Sequence, residues 1–258
     1  MANIAWNGST ATTGGQSITP LTELHAPDDP ADFETGGSTD TTMPHGTGKD
    51  KCQVTIGFLG SHCPAAGVPV SMAFQIGVTG DNYKNTDLPG TPTLAFATQV
   101  TVSGHKDGRI EGSATLVPGD SSLTPVTQTW STGDVGFNGS GFSFAGSAAT
   151  GLVAMQYSGS SQPIDSTGAE AAAPVATVYV PGMPDEQITV TTLGPPQYAA
   201  KAKGATVASW NDGGTLGTFP TGASYTAECV STHPGGSING QATTEHTFRV
   251  RRVGAGAS

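Results

Sequence analysis

A chain of 258 residues with 10 Lys and Arg against 20 Asp and Glu carries a formal net charge of −10, and only 12% of its residues are charged. That balance excludes tight nucleic-acid binding, which needs a basic face to hold phosphates. The 37 Gly and 18 Pro alternate with short runs of Val, Ile, Thr, Phe and Tyr, which excludes a disordered chain and describes many short strands joined by turns.

In chain order, the start MANIAWNGST lacks the basic stretch and apolar core of a secretory signal, and no run of 18 apolar residues follows anywhere, so no membrane partner is expected. A first hairpin is expected from Trp6 to Leu24. The polar segment 25–51 follows, 27 residues long, and a connection of that length inside a compact domain is usually used for something. Strands are then expected at 52–60, 70–78, 94–102 and 109–117. In the second part of the chain a hairpin from Phe142 to Tyr157 is followed by a polar segment at 158–174 and by strands at 176–180, 186–194, 205–210, 224–230 and 244–253. Helical patterning is confined to PPQYAAKAKG (195–204), with Pro at its start and Gly at its end, and to the Ala run in TGAEAAAP (167–174). The fold class is therefore all-β, mainly strands with one short helix per domain, in two tandem barrel- or sandwich-like domains.

The division into two rests on repetition. VSGHKDGRIEGSAT (102–115) returns as VSTHPGGSINGQAT (230–243), with eight of 14 positions identical. QVTIGFLG (53–60) returns as QITVTTLG (187–194), and WNGS (6–9) as FAGS (144–147). The offsets are 128, 134 and 138, and the order is the same in both halves. A tandem duplication is expected, with copy 1 at 1–118, a Pro/Gly/Ser-rich linker at 119–125 and copy 2 at 126–258. In that alignment His105 and His233 are equivalent hairpin-tip residues.

This arrangement resembles the tail tube (major tail) proteins of long-tailed bacteriophages. NGSTATTGGQSITPLTEL (7–24) is similar to the opening hairpin of that family, DDPADFETGG (28–37) to its extended loop, DKCQVTIGFLGS (50–61) to the strand after the loop, and TQVTVSGHKDGRIEGSATLVPG (98–119) to its closing strand pair. VYVPGMPDEQITVTTLG (178–194) and CVSTHPGGSINGQATTEHTFRV (229–250) repeat the pattern. The resemblance implies a structural virion protein that polymerises into stacked rings forming a hollow tube for DNA passage, assembled in the host cytoplasm. A duplicated chain would form a homotrimeric, pseudo-hexameric ring. Its partners would be other copies of itself, further tail proteins at the tube ends, and transiting DNA that is not specifically bound. The long loops would reach neighbouring subunits or rings, which nominates Asp28, Asp29, Asp32, Phe33, Asp165 and Glu170. The basic cluster Arg249, Arg251 and Arg252 would sit at an interface. Acidic excess suits a lumen that must not hold phosphates.

Catalytic and cofactor chemistry finds no support. GTGKDK (46–51) lacks the spacing and final hydroxyl of a phosphate-binding loop, and no HExxH, CxxC or Gly-x-Ser-x-Gly occurs. His45, Cys52, His62 and Cys63 match no zinc-finger spacing, and the acidic pair Asp28–Asp29 reads as a solvated loop before it reads as a calcium ligand. No metal, cofactor or enzymatic activity is expected. The three cysteines, Cys52, Cys63 and Cys229, read as free thiols, with a Cys52–Cys63 bridge as the alternative. Two other functions compete: a capsid decoration or baseplate β-protein, and a carbohydrate-binding, adhesin-like β-protein using Trp6, Trp130 and Trp210 as sugar platforms.

Overall fold

A computed structural model describes residues 9–26, 28–34, 45–77, 83–84, 94–129, 133–167, 177–217, 222–238 and 240–253. The first half contains β1 (Thr10–Thr13), β2 (Gln16–Ser17), β3 (Leu21–His25), β4 (Asp28–Glu34), β5 (His45–Cys52), β6 (Val54–Leu59), β7 (Pro69–Ile76), β8 (Tyr83–Lys84), β9 (Leu94–His105) and β10 (Glu111–Pro118). The second contains β11 (Gly141–Phe144), β12 (Ser147–Ala148), β13 (Leu152–Asp165), β14 (Tyr179–Leu193), β15 (Lys203–Ser209), β16 (Ser224–Ile238) and β17 (Gln241–Val253). All pairing between these strands is antiparallel. Fifteen strands share one sheet, and β4 and β5 form a separate pair.

The two halves have the same connectivity. In the first, β2–β1–β7–β9–β10–β6–β3 is a chain of paired strands; in the second it is β12–β11–β15–β16–β17–β14–β13. The agreement extends to individual residues. Leu21 opposes Phe58, and Leu152 opposes Thr192, each followed by a bulge. Thr115 opposes Gln99 and Leu116 skips to Ala97; Thr247 opposes Ser231 and Phe248 skips to Cys229. Residue n of β1–β4 thus answers n + 131, of β5–β7 n + 134, and of β9–β10 n + 132. Bulges conserved in place are built features of a sheet, since each redirects its strand.

Two of the sequence matches were in the wrong register. QVTIGFLG and QITVTTLG do superpose at 134, but the closing hairpins superpose at 132, four residues from the best letter match. His105 answers Ser237, and His233 answers Thr101, so the two histidines are not equivalent. The tip Asp107–Gly108 answers Asn239–Gly240, both strong hairpin-turn dipeptides. The opening hairpins superpose at 131, which aligns NGS at 7–9 with NGS at 138–140 in the sequence.

The cores of the halves are related by exchange. Ala11 faces Phe74 across β1 and β7, whereas Phe142 faces Ala208 across β11 and β15. Thr13 faces Met72, and Phe144 faces Thr206. Large and small partners have changed strands, which preserves the volume each sheet must fill. In the second half Phe142 and Phe144 stack around Phe248, at ring separations of 4.8 and 4.9 Å.

The expected one short helix per domain is absent: no helix occurs among the described residues. Residues 195–202 form an irregular connection. Lys201 takes φ +67°, outside the right-handed helical region, and Tyr198 is held edge-on to Phe142 and Phe144. The Ala run at 168–174 lies outside the described residues. The described parts of the long polar segments are strands, β4–β5 in one half and the outer part of β13–β14 in the other, paired in matching register from Asp28↔Cys52 and Gly159↔Glu186 onward. The apolar core is shared: buried side chains of both halves form one cluster. The link between halves extends beyond 119–125, because Val126 and Gln128 donate backbone hydrogen bonds back to Pro69 and Gly14, and Phe137 to Gly108.

Candidate functional site

The two halves are joined edge to edge. The outer part of β9, Gln99–His105, pairs with β13 over Ala154–Ser160 in seven consecutive positions, so one sheet crosses the junction. The inner part of β9 pairs instead with β7 through Leu94–Phe96. A single strand therefore serves its own half at one end and the other half at the far end.

Two buried polar clusters lock the junction. In the first, the Tyr157 hydroxyl donates to Glu186 Oε1, and Arg252 Nε donates to Glu186 Oε2 at 2.8 Å. Arg252 Nη2 also donates to the backbone oxygen of Ala66, in the other half, at 2.7 Å. The Arg252 and Glu186 side chains are only 7% and 2% exposed, so this ion pair is desolvated and every unpaired lone pair would be costly. Burial, then the Glu186 charge, pushes the Tyr157 phenol well above its ordinary range and keeps it a donor. Gly67, at φ +72°, lets the connection 60–68 approach: a Cβ there would lie 2.9 Å from Ser161 Oγ.

In the second cluster the buried Asp212 carboxylate accepts from the Ser61 N–H, from Ser61 Oγ at 2.8 Å and from the Gly214 N–H at 3.1 Å. His62 Nε2 lies 3.6 Å from it. Ser, His and Asp are thus together, Ser61 Oγ donates to the carboxylate, and all three are buried. Burial lowers the His62 pKa against the opposing pull of Asp212, which favours the neutral ring. Ser61 belongs to the first half and Asp212 to the second, so this buried cluster ties the two halves together.

The residues nominated from sequence fall in several places. Asp28, Asp29, Asp32 and Phe33 lie on β4, in pairing with β5. Asp165 ends β13 and accepts from the Thr167 N–H; Glu170 lies outside the described residues. Arg249, Arg251 and Arg252 do not act as one cluster. Arg252 turns inward to Glu186, Arg249 lies 3.7 Å from Asp185 at the surface, and Arg251 is exposed. Cys52, Cys63 and Cys229 are buried thiols, and no disulfide joins the first two. Trp210 is buried and offers no sugar platform, while Trp6 and Trp130 lie outside the described residues. Among the described residues no group of three His, Cys, Asp or Glu side chains is arranged to hold a metal.

Sequence reasoning missed the junction, because Ala66, Tyr157, Glu186 and Arg252 carry no motif and meet only through the fold. It also missed two exposed features. On one face of the sheet, exposed Gln99 and Gln156 and half-buried Thr101, Ser103, Ser158 and Thr189 form rows of hydroxyls and amides, beside Arg109, Glu111 and Glu245. On the outer part of the β13–β14 hairpin, Ile164 and Met183 are 52% and 93% exposed, an unusual place for large apolar side chains. No family model and no curated protein matches this chain.

Proposed function

We propose that the protein is a structural subunit that polymerises through its sheet edges into rings, which stack into a hollow tube of the bacteriophage tail type. The observation that carries the reading is the β9–β13 joint between two halves of equal register, because among the described residues the counterpart of each of its two strands has one edge, or part of one, left open. Open edges invite pairing, and a ring of chains removes them. Three chains would present six halves around one axis. The face of hydroxyls and amides would line the lumen; of the charges beside it, Arg249 faces Asp185, Arg251 is exposed, and Arg109, Glu111 and Glu245 border Ser103, Gln156 and Thr189. The hairpins β4–β5 and outer β13–β14 would reach the next ring, burying Ile164 and Met183 there.

Negative-stain microscopy of the purified, concentrated protein tests this. Hollow filaments with a regular ring repeat are expected, and deleting residues 29–46 should leave folded chains that no longer make filaments. Dispersed monomers at all concentrations would refute the assembly, and filaments surviving the deletion would refute the role given to the hairpin.

A further inference from the structure

The internal duplication fixes what the outer joint must look like. At one end of the sheet β3 pairs only with β6, and among the described residues its other edge is open. At the other end, β16 uses Thr226–Glu228 against β15 and all of its length against β17, while among the described residues no strand pairs with the second edge of Ser231–Ile238. These are the counterparts of the two strands joined inside the chain: β13 answers β3, and Gln99–His105 of β9 answers Ser231–Ser237 of β16. An edge and its complement sit at opposite ends of one molecule, so the contact is heterologous, head to tail.

We infer that the β3 edge of one chain pairs antiparallel with the β16 edge of a second copy in the register of the internal joint. Translating Ala154↔His105, Met155↔Gly104, Gln156↔Ser103 and Ser160↔Gln99 gives Glu23 opposite Ser237, Leu24 opposite Gly236, His25 opposite Gly235 and Asp29 opposite Ser231. The inference rests on the ring reading and names its contact.

The outer joint cannot be sealed as the inner one is. At the places of Tyr157, Glu186 and Arg252 the first half has Ala26, Cys52 and Asp120, so the buried tyrosine–carboxylate–guanidinium cluster has no counterpart there. On the opposing side Ala66 becomes Ala200 and Gly67 becomes Lys201, which keeps the same left-handed backbone, φ +67° against +72°. Gly67 permits close approach to Ser161; Lys201 brings an exposed ammonium to that position, beside the place where Asp120 stands in for Arg252. The strand it would meet is β4, with the sequence DDPADFE. The inner joint is a buried clamp, and the outer joint is an electrostatic contact that salt weakens.

The test is disulfide trapping in the full chain. Paired strands hold Cα atoms about 4.5–5.5 Å apart, within the span of a disulfide. Asp29→Cys with Ser231→Cys, oxidised in concentrated solution, should give reducible intermolecular bonds ending in a covalent three-chain ring. Glu23→Cys with Ser231→Cys, at opposite ends of the joint, should give none. Lys201→Asp, which tolerates the left-handed backbone, should lower the trapped fraction, as should high salt. Microscopy separates this inference from the tube itself. Filaments without trapping overturn the register and leave the tube, while trapped rings that never stack keep the joint and overturn the tube. Chains that neither trap nor form filaments overturn both. Equal trapping by the two cysteine pairs overturns the register.

Discussion

Arg252→Met removes the cation from the buried cluster while keeping most of the side-chain volume. Glu186, 2% exposed, is left with the Tyr157 hydroxyl as its only partner from that cluster, and the Ala66 carbonyl loses its donor from the other half. Removing one member of a buried ion pair typically costs about 3–5 kcal/mol, because the surviving charge is stranded in a poorly polarisable interior. With a urea slope of about 3 kcal/mol/M, the unfolding midpoint should fall by about 1–1.7 M. Fluorescence of the buried Trp210 is a suitable signal. Pairing the change with Glu186→Gln removes the stranded charge and should recover more than half of the loss. By contrast, Lys203→Ala, which breaks an exposed pair with Glu228 at 3.4 Å, should cost under about 1 kcal/mol. A midpoint shift for Arg252→Met no larger than that of Lys203→Ala would refute the claim that this cluster locks the two halves.

Three further outcomes are expected. Phe74→Ala should cost about 3–5 kcal/mol and Ala11→Phe about 1–3 kcal/mol, yet the double variant, which copies the Phe142–Ala208 arrangement, should be markedly more stable than the sum predicts in a double-mutant cycle. Burial lowers the pKa of both His62 and His246, so the unfolded chain binds more protons than the folded one below about pH 6.5. Stability should therefore fall as pH drops through and below that value, and His246→Gln should flatten the dependence of the urea midpoint on pH. All three thiols are buried and burial raises the Cys63 pKa strongly, so a thiol reagent should label none of them in the native chain and all three after unfolding.

Much of the strand inventory was legible because Gly and Pro mark the turns and Val, Ile and Thr alternate between them. β6 and β14 were even matched in the correct register. The hairpin match at 102–115 and 230–243 failed for a definite reason. Side chains repeat every two residues along a strand, so a slip of four leaves every one on its original face, and alternation cannot detect it. Shared Gly, Ser and Thr then outweighed the true correspondence, in which Asp107–Gly108 answers Asn239–Gly240. The swapped pairs hid the correspondence of the halves further, since Ala11 and Phe142 look unrelated until Phe74 and Ala208 are seen across from them. The short helix expected at 195–204 followed from local propensity, which the left-handed Lys201 and the anchoring of Tyr198 against Phe142 and Phe144 overrode.

The sequence alone determined that this chain is built of short strands joined by turns, because turn chemistry and apolar alternation act over a few residues at a time. Tertiary structure alone decided which residues of the halves correspond, how the halves join, and which edges stay open. Those depend on cross-strand partners and on buried contacts such as Arg252 with Glu186 and Ala66, whose members lie 66 and 186 positions apart in the chain. Interactions at that range leave no local pattern, and only the closed sheet brings them together.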